Sequence, residues 1–185
     1  MQSLLQEISQ RCFLSPELQH RITKDFEERN VKKGEKILAQ GNKANYLYFV
    51  KKGVLHNYYY YEGKQISSWF YNENQFITSW HSFYTQRSSF EEIECLENSI
   101  LFQISYKDYQ KLIADFPSFG NFARLLAEEM LSFIDEFSKG WSFLTAKEKY
   151  KLLISYFPNI ELRVKLGHIA SFLGISQETF SRIRK

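Results

Sequence analysis

The sequence predicts an α+β protein: a β-roll or jelly roll with flanking helices, then a long helix, then a C-terminal helix-turn-helix. Three observations predict it. Between Val31 and Ser105 the chain is a succession of short β-branched or aromatic runs punctuated by glycine, such as YLYFVKKGVLHNYYYYEGKQISSWFY, which is strand texture at close spacing. From Tyr106 the apolar period becomes helical. The closing stretch LGHIASFLGISQETFSRIRK places a glycine where two short amphipathic helices would turn on each other. The corresponding units are residues 1–116, 117–140 and 141–185.

Taken in order, residues 1–29 read as helix with a break at Ser15-Pro16, where serine caps and proline fits the first helical position. Strands follow from Val31. Glu62-Gly63 separates YYYY from KQISSWF and marks a hairpin turn. Tyr58–Tyr61 alternates across its strand, so two rings face each way. Several such strands with glycine turns make a barrel or jelly roll. After Pro117, residues Phe119, Ala123, Leu126, Met130, Phe133 and Phe137 repeat at alternating steps of four and three, the seam of a helix that pairs with its counterpart in a second chain; the alternative is a helix packed on its own domain's core. A further helix spans roughly Ala146–Phe157 and stops before Pro158.

In the closing stretch, Ile169, Leu173, Ile175, Phe180 and Ile183 supply inward positions. Ala170 is small where the two helices approach, and Gly174 falls at the sharp turn. Ser176 caps the second helix, with Glu178 in its first turn. Gln177, Glu178, Ser181 and Arg182 then share the outward face. In a major groove, an arginine donates two bonds to guanine and a glutamate accepts from cytosine N4. His168, Ser176, Thr179, Arg184 and Lys185 are placed to hold phosphates and set register. The alternative for Glu178 and Arg182 is an i,i+4 ion pair on a solvated helix.

Charge supports the nucleic-acid reading by its position rather than its size. The formal net charge is +3 over 185 residues. Residues 161–185 hold five basic and two acidic groups, so the whole surplus lies in that tail. Elsewhere the composition excludes more than it indicates. At 44% hydrophobic and 24% charged the chain is an ordinary globular protein. No apolar run nears the ~18 residues of a membrane span, and no signal-peptide pattern opens the chain. Cys12 and Cys95 have no ligand spacing and suit a reducing, cytoplasmic setting. His20, His56, His81 and His168 are scattered, with no H-x-H pair, nucleophile elbow, phosphate-cradling glycine loop or H-E-x-x-H. No metal site and no enzyme chemistry is expected.

At the level of motifs, Gly174 through Ile183 resembles the recognition helix of the Crp/Fnr superfamily of bacterial transcription regulators. Gly34-Glu35-Lys36-Ile37-Leu38, Gly41, Tyr46-Leu47-Tyr48-Phe49-Val50 and Gly53-Val54 resemble that family's cyclic-nucleotide-binding-type β-roll. Together they span essentially the whole chain. The resemblance implies a homodimer that sets two recognition helices in successive major grooves of double-stranded DNA, reads an inverted repeat with TGA-like half-sites (or the extended TTGAT), and works with RNA polymerase. Glu178 and Arg182 match the family's base readers, Ser181 matches the Fnr-like branch, and Gln177 replaces an arginine of the Crp-like branch. Members commonly add a wing beyond the recognition helix; here it reads as absent or truncated.

The sensor departs from the family. Members that bind cyclic AMP carry a phosphate cassette resembling "F-G-E-L…R-S-A". Here Ile77 stands in the glycine's place and Thr78 in the glutamate's, followed by Ser79. Arg87-Ser88-Ser89 resembles the second half, yet the register of the following strand sets Ser89 opposite the arginine. A lost glycine closes the backbone's approach to phosphate, and a lost carboxylate leaves a ribose hydroxyl unpaired. These six residues are the candidate effector pocket. The expectation is no cofactor, with an effector other than cyclic AMP or none. The competing reading is a β-roll regulatory or ligand-binding module that does not bind DNA.

Overall fold

The computed structural model of the chain describes residues 1–184; Lys185, predicted to hold a phosphate, lies outside the described residues. Two short helices open the chain, α1 (Gln2–Ser9) and α2 (Pro16–Asp25). Ser15 caps α2 by accepting from the Leu18 amide at 3.2 Å, with Pro16 in the first helical position. The strands are β1 (Glu27–Val31), β2 (Lys36–Leu38), β3 (Tyr46–Lys52), β4 (Leu55–Tyr61), β5 (Lys64–Tyr71) and β6 (Phe76–Ile77). Helix α3 (Trp80–Thr85) is followed by β7 (Glu92–Cys95) and β8 (Ser99–Ser105). They form two antiparallel four-stranded sheets, ordered β1-β8-β3-β6 and β2-β7-β4-β5. The predicted hairpin closes between Tyr61 and Lys64, with Glu62 at φ 49° and Gly63 at φ 74°, the left-handed pair that matches strand twist.

One boundary and one element differ here from the sequence reading. The first strand begins at Glu27, inside the segment read as helix. It lies at a sheet edge with a largely exposed face, so EERN carries no apolar alternation to betray it. Helix α3, between β6 and β7, had no sequence signal of its own.

Helix α4 (Tyr106–Asp115) leads into α5 (Pro117–Trp141). Phe119, Ala123 and Leu126 of α5 are buried in the roll's own core beside Phe49, Phe76 and Leu112. Phe133 and Phe137 continue along Trp69 of β5, with ring centroids 4.9 and 5.4 Å away, and Met130 lines the same side. The first three residues of the seam predicted to pair with a second chain are therefore buried within this one, and the last three lie half-buried along the roll. Heptad spacing reports that a face is buried, and the aromatic strand opposite it decides by what. The side of α5 that stays open carries Leu131, 68% exposed, and Ile134, 49% exposed.

Helix α6 (Ala146–Tyr156) starts in a capping box between Thr145 and Glu148. A one-turn helix α7 (Ile160–Arg163) intervenes before α8 (Leu166–Leu173) and α9 (Gln177–Ile183). The core of this last unit, with Leu153, Ile160, Ile169, Leu173 and Phe180, is continuous with Val54 and Phe70 of the roll. No described helix is long and apolar enough to cross a membrane.

Candidate nucleic-acid interface

Helices α8 and α9 form a helix-turn-helix. Gly174 turns the chain at φ 71° while its amide and that of Ile175 close onto Ser171 and Ala170 carbonyls at 3.1 Å, a left-handed C-cap that suits glycine. Ser176 then caps α9 by accepting from the Thr179 amide at 3.2 Å. Ile169, Ala170, Leu173 and Phe180 are buried between the helices, and Phe180 meets Tyr150 of α6 edge to face at 5.1 Å. Burial of that side fixes which side of α9 is left outward. Gln177, Glu178 and Arg182 are exposed there and Ser181 is half-exposed.

Among the described residues, Glu178 and Arg182 do not form the ion pair that their spacing allows. The Arg182 guanidinium instead donates to the Thr179 hydroxyl at 3.3 Å, and that hydroxyl accepts from Ser176 at 3.1 Å. The charged ends of both side chains remain presentable. The residues assigned to phosphate are more constrained. Thr179 and Ser176 bond each other, and Arg184 lies 3.6 Å from Glu161.

His168 departs furthest from its expected role. Its ring is half-buried against the fully buried His56 of β4, centroids 4.6 Å apart. Burial lowers the pKa of both imidazoles: that of His56 falls to about 3, helped by His168, and that of His168 falls with Lys165 adding to the effect and Glu94 opposing it. A neutral ring wedged against the roll is no phosphate ligand in this arrangement. Histidine spacing carries no signal of a partner 112 positions away in the chain, so sequence alone placed it on DNA.

The same contact surface pins the whole motif to the roll. Strand β5 is a sheet edge, and its free backbone groups meet Ser171 of α8, which donates to the Gln65 carbonyl and accepts from the Ser67 amide, both at 3.1 Å. Phe172 sits among Trp69, Phe70 and Trp141 at 4.8 to 5.8 Å. Arg163 of α7 forks onto Glu73 at 2.7 and 2.8 Å and onto Glu97 at 2.5 and 3.4 Å. The guanidinium holds the Glu73 carboxyl down at about 2. Arg163, Ser171 and His56 had no motif to reveal them.

In the candidate effector pocket, Ile77 is a buried strand residue paired with Tyr48. Buried Thr78 donates its hydroxyl to the Tyr46 carbonyl at 2.9 Å. Ser79 faces Ser89: the Ser89 hydroxyl donates to that of Ser79 at 3.1 Å, both residues are buried, and Ser79 donates to the Glu91 carboxylate at 2.8 Å. Arg87 and Ser88 are exposed. Glu91, which sequence reasoning missed, thus puts its carboxylate on Ser79, which in turn accepts from the serine in the arginine's place. Among the described residues no His, Cys, Asp and Glu cluster is arranged to hold a metal ion.

Residues 28–116 match the family model of the cyclic nucleotide-binding domain. No curated protein matches the chain by sequence. Among solved structures, a transcriptional regulator described as of the Crp/Fnr family from Eubacterium rectale is similar at a TM-score of 0.70 and 20% identity, over 92% of this chain and 82% of that one. The global regulator CLP of Xanthomonas campestris, described as c-di-GMP responsive, gives 0.67 and 15% over 89% and 87%. The catabolite activator protein of Thermus thermophilus gives 0.60 and 20% over 92% and 82%. The chain shares the fold of these structures: a roll, a long helix and a helix-turn-helix in that order.

Proposed function

We propose that the protein is a homodimeric, sequence-specific DNA-binding transcription regulator that reads an inverted repeat with TGA-like half-sites in double-stranded DNA. The observation that carries this reading is the outward face of α9, where Gln177, Glu178 and Arg182 are exposed on a helix that Ser176 caps and Phe180 anchors. Arg182 and Glu178 then read guanine and cytosine edges. The basic tail holds the backbone, and its share of binding falls with salt. Pairing uses the open side of α5, where Leu131 and Ile134 lie three apart with Ala127 one turn before, and sets the two heads about 34 Å apart. RNA polymerase is the partner that such a regulator needs.

The roll does not take cyclic AMP in this reading. Two buried serines and a carboxylate, with no cationic side chain among the described residues bonded to them, repel a phosphate instead of holding it. Random-pool DNA selection with the purified protein, with and without cyclic AMP and over a salt series, tests both parts. Enrichment of an inverted repeat with TGA in each arm, unchanged by the nucleotide, is the expected result. A repeat enriched only with cyclic AMP sinks the reading of Ser79, Ser89 and Glu91, and no enrichment at all sinks the reading of α9.

A further inference from the structure

A cavity of about 320 Å³ lies outside the cassette, where the edge strands β5 and β6 of the two sheets face α5, α1 and α6. Its floor is aromatic and apolar: Trp69, Met130 and Phe133, closed by Tyr156 from the last turn of α6. Trp69 lies 4.9 Å from Phe133 and 5.8 Å from Tyr156, with rings near perpendicular. Phe133 and Tyr156 also line a second, apolar cavity of about 280 Å³ between α5 and α6, so those two rings stand as a partition between two spaces.

The mouth of the first cavity holds three charged side chains, Glu7, Arg11 and Glu129. Arg11 is committed to the other two. Its Nε donates to both Glu129 oxygens at 3.0 Å, Nη2 to Glu129 at 2.8 Å, and Nη1 to the Glu7 carbonyl at 3.0 Å and carboxylate at 2.6 Å. Of the five N–H groups of a guanidinium, these bonds use four. An incoming anion finds one spare donor and two carboxylates, and the mouth bears one net negative charge. A cation finds the reverse, with aromatic faces beneath it.

We infer that this cavity is a binding site for a small aromatic amine, with the ring among Trp69, Phe133 and Tyr156 and the ammonium at Glu129 and Glu7. The size fits a compact ligand. The site touches the roll, the long helix and the DNA-binding unit at once. A ligand that displaces Tyr156 moves the end of α6, and beyond it α7 with Arg163, so occupancy biases how the head sits on the roll. The binding claim stands apart from the DNA reading, because it is measured on the protein without DNA.

The test is a ligand-observed NMR titration of the full chain with phenethylamine and with 3-phenylpropanoate, the same ring on opposite charges. Phenethylamine is expected to bind about ten-fold more tightly, and Glu129→Gln, which removes a half-exposed carboxylate, to shrink the preference to about three-fold or less. Saturation by neither compound, equal or tighter binding of the carboxylate, or a preference untouched by Glu129→Gln overturns the assignment. Tyr156→Trp, which narrows the cavity without emptying it, is expected to weaken phenethylamine by about ten-fold; unchanged affinity places the amine elsewhere and also overturns it.

Discussion

Arg163→Ala is the most direct test of how the head is held. The guanidinium spans two carboxylates, with four contacts between 2.5 and 3.4 Å, and its side chain is 24% exposed. Deleting one member of a buried ion pair costs about 3–5 kcal/mol. Solvent reaches roughly a third of each glutamate, which brings the figure down to about 2 kcal/mol. The loss also leaves Glu73 and Glu97 facing each other. In a chain of this size about 2 kcal/mol corresponds to a melting-temperature drop of roughly 5 °C. The pH behaviour adds a second signature. Glu73 has its pKa depressed to about 2 from an unfolded value of about 4.3. Its contribution is fully present above pH about 4.3 and is lost as pH falls through about 2. In the variant that acid-dependent loss shrinks, since only the backbone bonds such as that from the Gly53 amide remain to hold the carboxylate. Hydrogen exchange localises the effect: the Ser67 amide, bonded to Ser171, should lose protection, while amides of β3 paired with β8 keep theirs. A melting point within about 1 °C of wild type with Ser67 still protected refutes the idea that Arg163 fastens the head to the roll.

How much of this was legible in the sequence depends on the range of the interaction. Ser15, Thr145 and Ser176 cap helices through bonds three residues long, so their patterns sit within one window of sequence. Gly174 and the Glu62-Gly63 turn are local for the same reason. The faces of α5 are not local. Phe119 through Phe137 has the spacing of a partner seam, and only the presence of Trp69 and Phe76 opposite it shows that the partner is the chain's own roll. The outward face of α9 was legible because its buried complement, Phe180 with Ile169 and Leu173, lies within the same stretch. Arg163 with Glu73 and Glu97, 90 and 66 residues away, and Ser171 with the β5 edge were not. Likewise Glu91 gained its meaning only when folding set it beside Ser79. Pairing across such separations follows from topology, which no single segment encodes.

Three further perturbations test separate parts of the mechanism. Arg182→Ala is expected to relax discrimination at one base pair at a cost of about 1–3 kcal/mol; equal losses on specific and random DNA in a binding titration deny it a base-reading role. Leu131→Asp with Ile134→Asp, both on the open side of α5, should give a folded monomer by analytical ultracentrifugation, and a dimer that survives moves the pairing surface elsewhere. The last concerns acid. His56 is fully buried, its pKa is lowered to about 3 chiefly by desolvation, and the groups around it are Ser67, Tyr58, Phe70 and His168, with Glu94 and Lys165 beyond His168. Because the unfolded imidazole protonates near pH 6.5 and the folded one refuses the proton, this stability is present above about 6.5 and is lost as pH falls toward 3. Between pH 6.5 and 5 that amounts to about 1.5 kcal/mol for one imidazole, a window well above the one set by Glu73. Urea midpoints across it should fall for the wild type and flatten for His56→Phe, whose ring keeps the stack on Phe70. Equal slopes in the two proteins rule out the buried imidazole as the source, and a flat wild-type profile shows that the head lifts from the roll at no cost as His56 charges.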